Sequence, residues 1–161
     1  MALTVTVEDP RAHDVQVVLR THREFALAVT PVGDTFVLDV SDLLGPAVTL
    51  LGARQDGVLV GIGALKVRSP ELAELKSMHT VESSRGRGVG RLLVEELIAL
   101  ARAAGCTTLN LETGSMDAFT PARTLYAGCG FRPCPPFGEY VGSASSYCMT
   151  LDLTGGGEAA R

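Results

Sequence analysis

The chain has no apolar run approaching the ~20 residues that a bilayer-spanning helix requires. Its opening residues, "MALTVTVEDP", also lack the basic and then apolar order of a secretory signal. These absences make a soluble, cytoplasmic protein with no membrane partner the expectation. Cysteine is sparse and scattered: Cys106, Cys129, Cys134 and Cys148 form no CxxC pair. With three histidines and no clustered ligand spacing, no metal site is expected, and the thiols read as reduced and buried. Positive charge is also in short supply. A net charge of −4 argues against a general nucleic-acid binder, which would be basic over much of its surface. Arginine outnumbers lysine twelve to two, a ratio that reads as coding bias.

What is present is globular material. Hydrophobic residues make up 46% and charged residues 20% of 161 positions, which suits one core in a single domain over residues 1–153. The glycine-rich end, 154–161, is expected to be a disordered tail. "LTVTV" (3–7) alternates like a strand, and Asp9 and Pro10 then suit the cap and first position of a helix. Its apolar stripe is Val15, Val18, Leu19, His22 and Ala26; on it His22 reads more readily as a structural histidine than as a ligand. Two β-rich runs meet at Asp56-Gly57, a hairpin signal, and "SPEL" turns into a further strand at 73–81. From Gly88 a helical period runs to a Gly105 stop, and 106–112 is again a strand, so 73–112 reads as a crossover joining two parallel strands. Thr120 and Pro121 open a short helix ending near Gly130, and "FGEYV" and "SYCMTLDL" are expected to complete the sheet.

"SSRGRGVGRLL" (83–93) crowds arginine and glycine into the turn before the long helix. There the first backbone amides lack partners and the helix dipole favours negative charge, while glycine exposes those amides and Arg85, Arg87 and Arg91 add positive charge. Such a turn suits a phosphate or pyrophosphate. A Walker A loop is excluded because Gly90 is followed by Arg91 and Leu92 rather than Lys and Ser or Thr. The dinucleotide fingerprint GxGxxG would need glycine where Arg91 stands.

R-x-x-G-x-G, read here as Arg85, Gly88 and Gly90, resembles the acyl-CoA-binding motif of the GNAT N-acetyltransferase superfamily. "LYAGCGF" (125–131) matches the LYxxxGF pattern expected downstream, and "GALK", "ELKSMHT", "LETGS" and "PFGEY" resemble a bacterial subgroup with KSM, LETGS and PFG signatures. The resemblance spans 46–153 well and the first 45 residues by element order alone. It implies an α/β fold with a mixed, mostly antiparallel sheet, a splayed central parallel pair and flanking helices.

The resemblance further implies acetyl-CoA as cosubstrate and a primary amine as acceptor, with direct transfer in a ternary complex by a monomer or homodimer. The pantetheine arm would lie along the backbone of Met78, His79 and Thr80. The pyrophosphate would rest on the amides from Gly86 through Arg87, Gly88, Val89 and Gly90 to Arg91, beside Arg85. Tyr126 matches the superfamily's usual acid for the thiolate. The base is open between Glu112, which ends a strand at the gap, and Glu74, for which a plain surface pair with Lys76 is a rival reading. His79 is a weaker base candidate, and Thr113 and Ser115 either bind substrate or cap the loop. The acceptor is expected to be a small amine or amino-acid derivative, with a protein or peptide amine as the alternative. A non-catalytic acyl-CoA sensor and a plain nucleotide-binding module are the rivals from other classes. Two departures stand out: Phe119 replaces the asparagine of N-x-x-A-x-x-LY, and Phe36 stands where the subgroup carries histidine.

Overall fold

The computed structural model describes residues 2–31, 33 and 40–155. Phe36 and the tail from 156 onward lie outside the described residues. The strands are β1 (Leu3–Val7), β2 (Val48–Gln55), β3 (Val58–Val67), β4 (Leu72–Thr80), β5 (Thr108–Gly114), β6 (Arg132–Pro133) and β7 (Ser146–Asp152). They form one seven-stranded sheet in the order β1-β2-β3-β4-β5-β7-β6. Only the β4–β5 pair is parallel; every other neighbouring pair is antiparallel. The helices are α1 (His13–Val29), α2 (Val89–Ala103) and α3 (Thr120–Gly128).

Period-2 and period-3.6 patterning decides which helix covers which face. Leu50, Leu59, Ile62 and Ala64 meet Val15, Val18 and Leu19 of α1. The alternate residues Leu51, Val60, Leu65, Leu75, Leu109 and Leu111 meet Val89, Leu93 and Leu97 of α2. Tyr126 of α3 joins this second and larger cluster. At roughly 25 cal/mol per Å², each fully buried leucine contributes on the order of 2 kcal/mol.

Three local expectations change. α1 begins at His13, because Asp9 folds its carboxylate onto the Arg11 amide (2.9 Å) instead of capping a helix. α3 starts at Thr120, with Phe119 preceding it and Pro121 in the first turn, so Thr120 is one position inside rather than the cap. "FGEYV" supplies a 3-10 turn, Gly138–Tyr140, in place of a strand. The nearby Pro133, Pro135 and Pro136 have no N–H to donate, which holds β6 to two residues and keeps this loop out of the sheet.

β4 carries the feature that matters most for a site. Ser77 has a positive φ of 56°, and the β3 register shifts between Ile62 and Ala64. Ser77 and Met78 together therefore oppose Gly63, a β-bulge. Uninterrupted alternation would place Met78 on the face of Glu74 and Lys76. The bulge sends Met78 to the α2 side instead, where it packs in the larger cluster, and turns His79 toward α1.

Candidate functional site

The parallel ladder of β4 and β5 runs from Leu72–Thr108 only as far as Leu75–Leu111, although both strands continue. Beyond that point the strands part and open a groove of about 510 Å³. Its walls are the ends of β4 and β5, the second half of α1, the start of α2 and one side of α3. Parted parallel strands leave backbone groups unpaired along two edges, and an extended ligand with amides can take them up.

One end of the groove is the glycine–arginine turn. The first residue of α2 to bond within the helix is Leu92, donating to Gly88 O at 3.0 Å, so the amides of Val89, Gly90 and Arg91 have no helical partner. No side chain caps them and no acidic residue occupies the first turn. Gly88 sits at φ 82°, where a side chain would be strained. Gly90 serves a different purpose: a Cβ there would stand 2.9 Å from Leu125, so its bareness lets α2 and α3 approach. Arg85 and Arg91 line the groove; Arg87 is exposed outside its lining. Arg85 Nε donates to Thr80 O (3.2 Å), folding the guanidinium back over the turn.

Glu112 and Tyr126 approach the apex from opposite faces. Leu111 belongs to the α2 cluster, so Glu112, its neighbour in the strand, faces the α1 side, paired across β5–β7 with Cys148. Burial raises the Glu112 carboxyl to about 7; Lys76 and the Ser146 hydroxyl offset part of this, and Glu74 and Glu139 add to it. Tyr126 is 6% exposed and lines the groove with its ring edge-on to Phe131. Burial, with Cys129 and Glu112 adding to it, pushes its phenol well above the ordinary value, so it holds its proton. Glu112 and Tyr126 both line the groove.

Glu74 lies behind the wall. It is 1% exposed and held by Arg68 Nε (2.7 Å), Lys76 Nζ (3.3 Å) and the Tyr140 hydroxyl (2.8 Å), while Lys76 Nζ also donates to Tyr140 (2.6 Å). The Glu74–Lys76 pair is thus buried rather than on the surface. Tyr140 comes from the "PFGEY" turn and is 1% exposed, a contact no spacing argument reaches because 64 residues separate it from Lys76. His79 faces His22, Nδ1 to Nδ1 at 3.2 Å, and both line the groove. Burial pushes both rings down to about 4, helped at His22 by His79 and at His79 by Arg85, so the pair is neutral at pH 7. Thr113 is buried in the groove wall, whereas Ser115 lies outside it and donates to Ala144 O (2.9 Å). Arg123 donates to Gly114 O and to Met116 O (3.0 Å), pinning the loop between β5 and α3.

The family model described as Acetyltransferase (GNAT) family matches residues 19–131, from the second turn of α1 to the end of the α3 motif. The chain belongs to this family. Among similar proteins, the N-acetyltransferase YsnE of Bacillus subtilis (strain 168), itself uncharacterized, is 34% identical over 92% of this chain and 99% of its own. A Klebsiella pneumoniae protein assigned as an acyl-CoA N-acyltransferase has a crystal structure that superposes with a TM-score of 0.81 at 27% identity, covering 94% and 97% of the two chains. The PaiA N-acetyltransferase of Thermoplasma acidophilum, solved in complex with coenzyme A, shares the fold with a TM-score of 0.71 at 15% identity over 94% and 99%. The GNAT sheet with its parted central strands is therefore the architecture of this chain. Among the described residues no helix is long and apolar enough to cross a membrane.

Proposed function

We propose that this GNAT protein transfers an acetyl group from acetyl-CoA to the primary amine of a small molecule or amino-acid derivative, directly and without a covalent enzyme intermediate. One observation carries the reading: the β4–β5 ladder stops at Leu75–Leu111, and the groove so opened joins an uncapped helix start to Glu112 and Tyr126. The pyrophosphate takes the amides between Gly86 and Arg91 with Arg85 and Arg91 beside it, and the pantetheine follows the free edge of β4 at Met78, His79 and Thr80. Coenzyme A bound to a protein of the same fold supports this placement.

An ammonium has no lone pair, so the acceptor must lose a proton before it attacks. Glu112, at about 7, is half ionised near neutrality and accepts that proton. The amine then forms the C–N bond at the thioester carbonyl, the C–S bond breaks, and the departing sulfur takes the proton of the Tyr126 hydroxyl. The nitrogen, cationic once the C–N bond has formed, gives up its second proton through solvent, which restores the phenol, and Glu112 releases the first to bulk water. Glu74 is the poorer base because three donors already occupy its carboxylate.

Thiol release from acetyl-CoA, screened over amines, amino acids and peptides, tests the proposal. Turnover with small amines, lowered about 10²-fold in Tyr126→Phe, is the expected result. Stabilisation by acetyl-CoA with no thiol released over the whole panel would leave a sensor instead. Equal stabilisation by ATP and by coenzyme A would leave only a nucleotide module.

A further inference from the structure

Phe119 begins a feature that the acetyl-transfer reading does not use. Its ring packs closely against the end of β5: a Cβ added to Gly114 would sit 2.1 Å from Phe119 Cδ2. Across the groove it meets Phe25 of α1 edge-on, with ring centroids 5.5 Å apart. α1 and α3 cover opposite faces of the sheet, so this contact bridges the mouth of the gap beyond the parted strands. Both rings are half-buried and both line the groove, each with apolar surface open to it. Ala26 and Ala118 flank them.

Charge on the groove is confined elsewhere. Among its described lining residues the charged ones are Arg85 and Arg91 at the turn and Lys76 and Glu112 at the apex. Lys76 is already bonded to Glu74 and Tyr140. His22 and His79 face each other and are neutral at pH 7. Among the described residues the α1 wall therefore presents no free cation for a carboxylate and no carboxylate for a second ammonium. Desolvating either charge there would go uncompensated, whereas an aromatic ring set edge-on to two others gains both burial and quadrupole contact.

From this we infer that the acceptor carries an uncharged aromatic group, seated against Phe25 and Phe119 in the groove that Glu112 also lines. The inference rests on the acetyl-transfer reading for the reaction and on the aromatic pair for the acceptor class. The experiment compares phenethylamine, butylamine, putrescine and β-alanine by thiol release, and follows phenethylamine binding to the coenzyme A-loaded protein by calorimetry. The expected order of kcat/KM places phenethylamine first by about tenfold or more over butylamine, with putrescine and β-alanine last. In Phe25→Ala the phenethylamine KM rises roughly tenfold and its advantage over butylamine shrinks to about twofold. Phe25→Leu, which keeps apolar volume, recovers part of it and guards against a folding defect. Turnover that favours putrescine or β-alanine would overturn the aromatic subsite while acetyl transfer stands. Phenethylamine binding that vanishes in Phe25→Ala, with no turnover on any amine, would keep the subsite and sink the transfer reaction. No phenethylamine binding to the loaded protein would overturn the subsite outright.

Discussion

The two faces of the sheet treat the same strands differently. On the α2 side Ala73, Leu75, Leu109, Leu111 and Met149 are 2% exposed or less and belong to one apolar cluster. On the α1 side, one residue along, stand Glu74, Lys76, Glu112 and Cys148, and α1 itself packs over β2, β3 and the end of β4. The proline-bounded loop with Tyr140 fills the space at Glu74 and Lys76 with a hydroxyl and a ring. One face holds the strands and the other adjusts protons. A charge buried beside a groove, under a loop rather than a helix, can be tuned without dismantling the core.

That contrast breaks most visibly in the core. Leu109→Ala, a 0% exposed position, should cost about 2–5 kcal/mol of unfolding free energy in denaturant titrations and leave the pH dependence of the rate in place. Glu112→Gln should do the reverse: stability changes little, while kcat/KM falls about 10²-fold and its rise with pH through about 7 disappears. Next comes Lys76→Met, which removes one of three donors to Glu74 and a charge that lowers the Glu112 carboxyl. It should cost on the order of 1–3 kcal/mol and move the rising limb of the pH–rate profile upward. An unmoved limb would assign that limb to another group.

Gly88→Glu places a carboxylate and a strained backbone at the uncapped start of α2. It should weaken coenzyme A binding by roughly tenfold, read by calorimetry, through like-charge repulsion and lost amide geometry. The smallest effect concerns the histidine pair. Both rings stay neutral in the folded protein down to about pH 4, whereas an unfolded histidine protonates near 6.5. Their stabilising share is complete above pH 6.5 and is lost as pH falls from there through about 4. His22→Phe should therefore reduce the fall in Tm between pH 7.5 and pH 5 by a few degrees; Glu112 is common to both proteins and drops out of the difference.

Legibility followed the reach of each interaction. The hairpin at Asp56-Gly57 and the turn around Gly88 could be read because each depends on residues within a few positions of one another, and the crossover because its strands and helix are each written in local periodicity. Glu112 and Tyr126 could be named from their motifs, and the strand separation at Leu75–Leu111 agrees with what those motifs imply. Contacts that join distant segments left no local trace. Nothing near Lys76 announces Tyr140, and nothing near Phe119 announces Phe25. Gly114 is the partial exception: a glycine ending a strand signals close approach, though it does not say of what. Met78 shows the other kind of failure, since alternation is a sound rule until one residue at positive φ resets its parity.

That reset has a consequence for insertions and deletions. Ser77 works as a residue held outside the alternation of its strand, so its chemical identity matters less than its place beyond the ladder. Excising it would restore perfect pleating and leave the thioether and the imidazole on the faces they now occupy. Drawing Ser77 into the ladder without removing a residue is the change that would exchange them and cost the cleft the histidine contact that ties it to the first helix.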